Sequence, residues 1–409
     1  MPRVILHADL NNFYASVACL GRPGLREVPM AVCGDPSLRH GVVLAKNMPA
    51  KLLGIKTGQA LWQARQLCPN LQTVAPDFEE VMRISGLVRD IFSRYTSHVQ
   101  PFGVDEAWLD LSQPGMTISR GEHIANHLRH TVREETGLTV SVGVGDSRVF
   151  AKLGSDLKKP DAVCVVCREN RKEMIDPLPV NDLLFVGRAT AQKLNGIGVY
   201  TVGQLACVET GVLKALLGKT GVTLSAFARG DDAACVLSSE EHAKLKSVGN
   251  SVTTARDITT CQDARITLLG LCESVAGRMR RQAVCGRVVQ IAMRDHRLHT
   301  IQRQRTLDDP TCCSGDLFRA AFGLLEQHWG TRVPLRSLGV SVSQLTPVNE
   351  LVQTSFLPED ALRQRQEVLE RAVDHIRSRY GRLAVQRAVM LAGCECERGK
   401  DYRMNPLAM

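Results

Sequence analysis

The chain has 409 residues, and 51 lysines and arginines against 42 acidic residues give it a formal net charge of +9. That length suits several domains rather than one compact core, and the positive charge suits a polyanionic partner without proving one. The sequence has no recognisable signal peptide and no long apolar span, and its 14 cysteines show neither a disulfide framework nor paired zinc-ligand spacings. We therefore expect a cytoplasmic protein with reduced thiols, without a membrane segment or structural zinc.

The first predicted element is a strand that carries an acid. Residues 3–18 begin with an apolar run containing Asp9, and then change to helical spacing with Phe13, Val17 and Leu20 on one face. This pattern predicts a strand that delivers a carboxylate at its C-terminal end, followed by a turn and a helix.

Two lysines follow in a region of short strands. The sequence predicts strands at residues 29–32 and 41–45, and a helix that begins within residues 47–53. Lys46 and Lys51 are predicted near the start of that helix. They and the free backbone N–H groups there suit a phosphate, and solvated surface lysines are the alternative.

A long amphipathic helix is predicted next, at residues 79–95, and it leads into the stretch FGVDEAWLDLS at residues 102–112. Its inward face is predicted to consist of five apolar side chains. These are Val81, Ile84, Val88, Ile91 and Phe92.

Asp105 and Glu106 stand between two short apolar runs in FGVDEAWLDLS. Strand alternation would turn one of them toward the core, where an uncompensated carboxylate is costly. A divalent metal would compensate the pair, and a hairpin turn with solvated carboxylates is the alternative. With Asp9 they supply three carboxylates, which suits a two-metal site for phosphoryl transfer.

The following segment predicts more elements around the same sheet, a helix at residues 123–136 and a strand at residues 138–144. A basic helix, residues 147–160, comes next and is ended by a proline. Its lysines could neutralise a triphosphate, and an exposed amphipathic face is the alternative. These lysines are Lys152, Lys158 and Lys159.

The composition changes from Pro179 onward. Residues 183–206 predict two short helices joined by the turn Asn-Gly-Ile-Gly at residues 195–198. Such a hairpin can present backbone N–H groups and basic side chains to a nucleic-acid phosphate without reading sequence. Residues 231–242 are polar and rich in small residues, which predicts a linker.

Residues 278–305 hold eight arginines against one acid. Because residues 286–293 alternate like a strand, part of this charge is expected on one face of a sheet, directed at nucleic-acid phosphates. A solvated surface is the alternative. The arginines are Arg278, Arg280, Arg281, Arg287, Arg294, Arg297, Arg303 and Arg305.

The tail after Pro347 contains a short apolar peptide followed by a helix predicted at residues 360–380. Gln353, Phe356 and Leu357 form this peptide, which suits a groove on a partner protein. Packing against the chain's own helix is the alternative.

In order along the chain, these motifs resemble those of the Y-family translesion DNA polymerases, which include bacterial DNA polymerase IV and the catalytic subunit of polymerase V. The family's two metal motifs resemble HADLNNFYASV and FGVDEAWLDLS, and its Ser-x-Gly and Lys-Pro segment resembles SVGVGDSRVFAKLGSDLKKPDA. Its helix-hairpin-helix thumb resembles FVGRATAQKLNGIGVYTVGQLA, and the entry of its little finger resembles KSVGNSVTTARDI. Five collinear motifs span almost the whole chain.

The resemblance implies an α+β multidomain fold, a right-hand polymerase with palm, small fingers, helix-hairpin-helix thumb and little finger. The implied boundaries follow the motifs. They are residues 1–10 and 73–166 for the palm, 11–72 for the fingers, 167–230 for the thumb, 231–242 for the linker, 243–346 for the little finger and 347–409 for the tail.

The resemblance also implies roles for individual residues. Asp9, Asp105 and Glu106 would bind two Mg²⁺ ions, with the Leu10 carbonyl as a backbone ligand. The implied substrate contacts are Phe13, Tyr14, Lys51 and Lys159, where Tyr14 would be the steric gate against a 2′ hydroxyl. The implied contacts to a sliding clamp are Gln353, Phe356 and Leu357.

The chain departs from the family pattern at four positions. Asn11 replaces a frequent Asp, and Met48 replaces a tyrosine that usually precedes the triphosphate contact. Lys51 stands where an arginine is usual, and Thr354 replaces the usual leucine of the clamp peptide. The changes at Met48 and Lys51 predict weaker triphosphate binding or an altered lesion preference.

The sequence therefore predicts a low-fidelity, DNA-templated polymerase without proofreading that adds deoxynucleotides past damaged bases. Its partners would be primer-template DNA, deoxynucleoside triphosphates and a sliding clamp, and a monomer is the default expectation. A catalytically silent DNA- and clamp-binding adaptor is the alternative from another class. A generic metal-dependent phosphoryl transferase is a third reading, disfavoured by the thumb-like hairpin and the arginine-rich segment.

Overall fold

The computed structural model describes residues 3–39, 41–232, 234–238, 245–330, 333–348 and 358–391. The chain forms two compact units, one consisting of Met1–Cys33 and Val43–His242 and the other of Gly34–Val42 and Ala243–Met409. Both units combine helices with sheets, as an α+β chain should. The residue boundaries between palm, fingers and thumb fall within the first unit and stay predictions.

The first unit contains two sheets and a helical C-terminal part. Its strands are β1 (Ile5–Leu10), β2 (Met30–Cys33), β3 (Val43–Lys46), β4 (Gln72–Val74), β5 (Val99–Pro101), β6 (Glu106–Asp110), β7 (Val140–Gly145) and β8 (Val163–Val166). Its helices are α1 (Phe13–Leu20), α2 (Met48–Leu52), α3 (Leu61–Leu67), α4 (Phe78–Ser93), α5 (Ile118–Thr136), α6 (Arg148–Leu157), α7 (Arg171–Met174), α8 (Arg188–Asn195), α9 (Val202–Cys207), α10 (Thr210–Leu217) and α11 (Lys219–Arg229). Short 3-10 helices lie at Pro23–Arg26 and Val180–Asp182 in this unit.

The larger sheet has the strand order β5-β6-β1-β7-β8 and places β1 at its centre. Successive side chains of a strand point to opposite faces. Leu6, Ala8 and Leu10 pack in one core with the apolar face of α4, whose five predicted inward side chains are all buried. The other face of β1 therefore carries Ile5, His7 and Asp9.

Helix α6 packs on that other face, very close to the backbone of β7. A Cβ added at Gly143 would lie 1.8 Å from the Ala151 carbonyl oxygen and 2.5 Å from the Ser155 nitrogen. Only glycine permits this approach. The Ser-x-Gly motif is thus a packing requirement that brings α6 next to β1, since Gly143 pairs with His7 in the sheet.

The smaller sheet has the order β3-β2-β4, and its third strand ends at Val74. The predicted boundary between fingers and palm at residues 72–73 therefore cuts through β4. Helix α2 also differs from the prediction, because Lys51 lies in its last turn rather than near its start. The Asn47 side chain accepts a hydrogen bond from Ala50 N at 3.1 Å, so this start is already capped.

The predicted helical hairpin is confirmed, because α8 and α9 flank the turn at residues 195–198. Gly198 adopts a positive φ of 81°, a conformation that glycine takes without a steric penalty. The turn is exposed along its length.

The first described residues of the predicted linker, residues 231–242, pack against the rest of the first unit. Asp232 is buried, and its carboxylate accepts a hydrogen bond from Arg148 Nε at 2.8 Å. Val236 is also buried, in a cluster with Ile5 and Trp108. Small and polar composition suggested a free segment, but an ion pair and one apolar anchor attach it to the first unit.

The second unit is a four-stranded sheet with helices on one face. Its strands are β9 (Ser247–Ile258), β10 (Val284–Asp295), β11 (Thr300–Thr311) and β12 (Leu335–Pro347), in the order β11-β10-β12-β9. Its helices are α12 (Cys261–Arg281), α13 (Ser314–His328), α14 (Pro358–Tyr380) and α15 (Ala388–Leu391), with short 3-10 helices at Pro36–Leu38 and Arg382–Ala384. The core lies between the sheet and helices α12 and α13.

The arginine-rich segment is divided between the sheet and helix α12. Arg303 and Arg305 pair with Ile291 and Val289, so these two arginines lie on the same face of the sheet, where both are exposed. Part of the charge therefore forms one face of a sheet, as predicted, and its contact with phosphates stays a prediction. Arg280 instead has a buried side chain that is ion-paired on α12.

The sheet face away from helices α12 and α13 carries mainly small polar side chains, together with the exposed Arg294, which pairs with Ser337. Positions that alternate with the buried ones on β12 are Ser337, Gly339, Ser341 and Ser343, paired with Thr253, Ser251, Gly249 and Ser247 of β9. On β10 and β11 the same face carries Gln290, Gln302 and Gln304. Over the described ranges, no helix combines the length and apolar character required to cross a bilayer.

Candidate active site

Three carboxylates meet at one end of the two central strands. In the antiparallel pair of β1 and β6, Asp9 lies opposite Glu106. Asp105 immediately precedes β6, and its carbonyl oxygen accepts a hydrogen bond from Leu10 N at 3.0 Å. Two sequence segments far apart in the chain are thereby brought together, as the sequence predicted.

Two lysines of the basic segment reach these carboxylates. Lys152 Nζ lies 3.2 Å from Asp9 Oδ2 and 2.8 Å from Glu106 Oε2, and Lys159 Nζ lies 2.7 Å from Asp9 Oδ2. The Lys152 side chain is only 14% exposed, so the alternative of a solvated amphipathic face is wrong for it. That alternative does describe Lys158, which is exposed.

The sequence did not single out Asp156, which joins the same network. Its carboxylate lies 2.8 Å from Lys159 Nζ and 3.4 Å from Lys152 Nζ. Helical spacing carries the signal, because Asp156 stands three residues before one lysine and four after the other.

The electrostatics of the site single out Asp105. Among the described residues, its carboxylate has no ion-pair partner. Burial, together with the negative charges of Asp9 and Glu106, raises the pKa of Asp105 to about 6. Burial acts in the same direction on Glu106, but its contacts with His7 and Lys152 outweigh burial and lower the pKa of Glu106 to about 2.

The lysines respond in the opposite sense. Burial alone would lower the pKa of Lys152, but the carboxylates of Asp9 and Glu106 more than offset it, and the pKa is raised. The pKa of Lys159 is raised for the same reason, chiefly by Asp9. The site thus holds two firmly charged ammonium groups against a cluster of acids.

Divalent cations fit the donor chemistry of this cluster. No group of three His, Cys, Asp or Glu side chains in the described parts of the chain is already gathered closely enough to hold a metal. Lysine ammonium groups contact Asp9 and Glu106 instead, while Asp105 is half-buried and has a raised pKa. Hard oxygen ligands with one uncompensated carboxylate are what Mg²⁺ binds in proteins.

His7 and Ser155 also belong to the site, although the sequence analysis did not name them. His7 is fully buried, with Nδ1 at 2.8 Å from Ser155 Oγ and Nε2 at 3.2 Å from Glu106 Oε2. Burial is the main cause that lowers the pKa of His7. The signal was available, because His7 stands two residues before Asp9 and strand alternation places both on one face.

Tyr14 lies beside the carboxylates, half-buried on α1. Burial and the negative charge of Asp105 raise its pKa, which indicates that the two groups are close. Its ring makes edge contacts with Phe13 and Phe78 at centroid distances of 6.0 and 6.1 Å. Phe13 itself is 2% exposed and belongs to the core, so its side chain does not offer an open surface to a substrate.

Lys46 and Lys51 form a second group of positive charge. Partial burial lowers the pKa of Lys46, and the neighbouring Lys51 ammonium lowers it further. Lys46 Nζ also donates to Thr57 Oγ1 at 2.9 Å. Like charges held near each other suit an anion.

Asn11, the departure in the first metal motif, has a structural place. Its amide Nδ2 donates to Thr139 Oγ1 at 3.1 Å, and its Oδ1 accepts from Ser141 Oγ at 2.9 Å. Both side-chain ends are therefore engaged in the sheet. The candidate clamp peptide with Gln353, Phe356 and Leu357 lies outside the described residues.

Family models match most of the chain in the expected order. Residues 8–156 match the impB/mucB/samB family, and residues 245–356 match its C-terminal domain. Residues 181–232 match the thumb domain of DNA polymerase-iota. The chain belongs to the Y family of DNA polymerases.

Individual relatives agree with this family. A DNA polymerase IV of Acetivibrio thermocellus is 44% identical over 391 residues, which are 96% of this chain and 98% of the relative. A DNA polymerase IV of Moorella thermoacetica is 36% identical, over 95% of this chain and 96% of the relative.

A solved structure agrees with the fold. A Y-family DNA polymerase chimera of Dbh and Dpo4 superposes with a TM-score of 0.73, at 19% identity, covering 84% of this chain and 99% of the chimera. The predicted architecture of palm, fingers, thumb and little finger is confirmed.

Proposed function

We propose that this Y-family member is a translesion DNA polymerase whose reaction takes place at Asp9, Asp105 and Glu106. The observation that carries the assignment is the cluster itself, three carboxylates at one sheet end, with Asp105 half-buried and without an ion-pair partner among the described residues. A protein that only bound DNA would have no physical need for it. This is why the adaptor alternative lacks support.

In the proposed site, Asp9, Asp105, Glu106 and the Leu10 carbonyl would hold two Mg²⁺ ions. Bound there, the ions would activate the primer 3′ hydroxyl and neutralise the triphosphate and departing pyrophosphate. The chain's own part is to keep the carboxylates aligned on rigid strands. Lys159 and Lys152, released from the carboxylates, would meet the triphosphate as point charges.

Tyr14 would act as the steric gate. Its ring is held edge-on between Phe13 and Phe78, beside Asp105. A ring fixed in this way would clash with a 2′ hydroxyl and so favour deoxynucleotides. The paired charges of Lys46 and Lys51 would contact the triphosphate from the fingers.

Two surfaces would hold primer-template DNA without reading its sequence. One is the exposed turn at residues 195–198 with the neighbouring exposed Lys193, whose ammonium group would contact a phosphate. The backbone N–H groups of residues 196–198 donate within the hairpin and are not available for this contact. The other is the open sheet face of the second unit, where serine, glycine and glutamine side chains allow close approach of a sugar-phosphate backbone. Contacts restricted to the backbone would tolerate a damaged base.

The proposals for a clamp partner, oligomeric state and location rest on the resemblance to the Y family alone. The peptide with Gln353, Phe356 and Leu357 would bind a sliding clamp. The protein would act as a monomer in the cytoplasm, where its DNA lies.

Primer extension tests the assignment directly. Wild type is expected to extend a primer with Mg²⁺ and deoxynucleotides, and Asp105→Ala and Glu106→Ala are expected to lose extension while still shifting primer-template DNA in a gel. His127→Ala, a change in an exposed hydrogen-bonded histidine, serves as the control. Extension that survives both carboxylate changes would overturn the site. A folded, DNA-binding wild type that never extends would return the adaptor to consideration.

A further inference from the structure

The buried ring of His7 has no part in the reaction proposed above, and its position requires a reason. Its two nitrogens face Ser155 Oγ at 2.8 Å and Glu106 Oε2 at 3.2 Å. Burying an imidazole is costly unless both nitrogens are satisfied. An apolar side chain would fill the same space without that cost.

The ring is held in one orientation. It makes an edge contact with the Trp108 ring at a centroid distance of 5.2 Å and an interplanar angle of 63°. Trp108 is itself fixed, because its Nε1 donates to the Arg148 carbonyl at 3.0 Å. These contacts orient the His7 ring with Nδ1 toward Ser155 and Nε2 toward Glu106.

One hydroxyl hydrogen decides which ring nitrogen of His7 carries the hydrogen. Ser155 Oγ has two acceptors at 2.8 Å, His7 Nδ1 and the Lys152 carbonyl. Donation to Lys152 would leave the ring hydrogen on Nδ1, with an Nε2 lone pair facing a carboxylate oxygen. Donation to His7 places the ring hydrogen on Nε2, which can then donate to Glu106.

Only the second arrangement satisfies the atoms between the ring and the carboxylate. His7 Nε2 lacks a hydrogen-bond partner of good geometry in the described part of the chain, and Glu106 Oε2, although Lys152 Nζ lies 2.8 Å from it, receives no hydrogen bond from the ring. A hydrogen on Nε2 pairs these two atoms with each other. The arrangement needs no side chain to move far, because the distance is already 3.2 Å.

We propose that His7 is a positioning residue for Glu106, and that Ser155 holds its ring in the Nε2–H tautomer. The inference rests on the proposed role of Glu106 as a metal-binding carboxylate. A carboxylate fixed by a donor on one side loses fewer orientations when it binds a cation, and such outer partners commonly contribute 10- to 100-fold to metal affinity. Gly143 contributes to this arrangement of Ser155, His7 and Glu106, because its missing side chain lets Ser155 approach His7.

The test measures binding of Mn²⁺ alone to the full-length protein, from the free-ion signal in electron paramagnetic resonance. We expect His7→Leu to weaken binding about tenfold. His7→Gln should restore most of this loss, since an amide N–H can replace the ring donor, and Ser155→Ala should fall between them. His127→Leu is the matched control, because His127 is a hydrogen-bonded histidine of the same unit, with Nδ1 at 2.7 Å from Tyr95 Oη.

The pattern of losses separates positioning from packing. If His7 only filled space, Leu would bind as well as wild type or Gln would bind as poorly as Leu, and either result would overturn the proposal. Adding His7→Leu to Glu106→Gln should weaken binding no further than Glu106→Gln alone, because the two act through one group. Full additivity would also overturn it.

The same Mn²⁺ measurements distinguish an error in the proposed metal site from an error in the role of His7. If Glu106→Gln leaves Mn²⁺ binding unchanged, the proposed metal assignment is wrong. If Glu106→Gln weakens binding and every His7 and Ser155 variant binds like wild type, only the inference about His7 is wrong.

The tautomer is measured on the wild-type protein, and a variant serves only to assign the signal. Long-range proton–nitrogen correlation spectra of ¹⁵N-histidine-labelled wild type distinguish the two tautomers, and the His7 signal is the one absent from His7→Gln. We expect an Nε2–H ring. An Nδ1–H ring in wild type would overturn the role given to Ser155.

Discussion

The two units each bury a network of opposite charges, and the networks differ in how completely they are satisfied. In the first unit, Asp9 and Glu106 share two lysines, and Asp105 has no ion-pair partner among the described residues. In the second, Arg280 Nε contacts Asp374 Oδ2 at 2.6 Å and its NH1 pairs with Glu370, which is also buried.

The second network leaves little unpaired. Glu370 accepts hydrogen bonds from Ser314 N at 3.0 Å and from Ser314 Oγ at 2.7 Å, at the first turn of α13. Arg280 NH1 also donates to the Cys312 carbonyl at 2.8 Å. A satisfied buried pair fixes one arrangement of helices, whereas an unsatisfied cluster is ready to bind a cation. The first network suits chemistry and the second suits the docking of α14.

The largest expected effect breaks the first network. Asp105→Asn should lower single-turnover nucleotide addition by a factor on the order of 10³, since a metal contributes several kcal/mol of charge stabilisation. The same change should raise the melting temperature of the metal-free protein, because a neutral amide replaces a half-buried carboxylate that has no ion-pair partner among the described residues. Melting and addition are measured on one preparation. A lower melting temperature would show that Asp105 contributes to folding, and the contrast between the networks would fail.

The second network should behave in the opposite way. Glu370→Ala leaves Arg280 buried without its partner, which typically costs about 3–5 kcal/mol. We expect hydrogen exchange of the α13 amides to accelerate accordingly, without any change in Mg²⁺ binding by the first unit. Glu80→Ala, which removes an exposed pair with Arg83 on α4, is the control and should leave exchange unchanged. Unchanged exchange in Glu370→Ala would mean that α14 is held by other contacts.

A change in the packing of α6 against β7, next to the first network, should have a smaller effect on activity and stability. Gly143→Ala would place a Cβ 1.8 Å from the Ala151 carbonyl oxygen, so α6 must move away from β7. Overpacking of this kind usually costs about 1–3 kcal/mol. Because α6 carries Lys152, the variant should lose polymerase activity as well as stability. Gly323→Ala on α13, where an added Cβ meets no atom within 4 Å, is the matched control.

Most elements around the site could be predicted from periodicity. The five inward residues of α4 and the hairpin at residues 195–198 follow from local spacing, and the alternation of β1 placed Asp9 on a strand. What local spacing did not supply was register. The pairing of His7 with Gly143 and Trp108, which places Ser155 and Lys152 beside β1, joins segments more than 100 residues apart.

Charge was the least predictable property in both units. Composition predicted arginines on one face of a sheet, which holds for Arg303 and Arg305, but it did not predict that Arg280 would be ion-paired with Glu370 of α14. The polar residues 231–242 likewise predicted a linker, although Asp232 is paired with Arg148. A charged residue looks the same in sequence whether solvent or a distant partner compensates it.

The stability of the metal-free protein should depend on pH through Asp105 of the first network. The pKa of Asp105 is raised to about 6 in the folded metal-free protein, against about 3.9 in an unfolded chain. Between these values the folded state binds more protons than the unfolded state, so this residue makes stability fall as pH rises from about 4 to about 6. Mg²⁺ needs the ionised carboxylate, so its affinity should rise over the same change and fall about tenfold for each pH unit below 6.

Thermal melts with and without Mg²⁺ between pH 5 and pH 7.5 measure how stability and Mg²⁺ affinity each change with pH. We expect the metal-free melting temperature to decline relative to Asp105→Asn as pH rises, while the increase produced by Mg²⁺ grows. Arg280 should add no slope, because its pKa is raised further above this range by its contacts with Asp374 and Glu370, against the opposing effect of burial. If Asp105→Asn shows the same slope as wild type, the proton belongs to another group. The unpaired carboxylate would then not be what distinguishes the two networks.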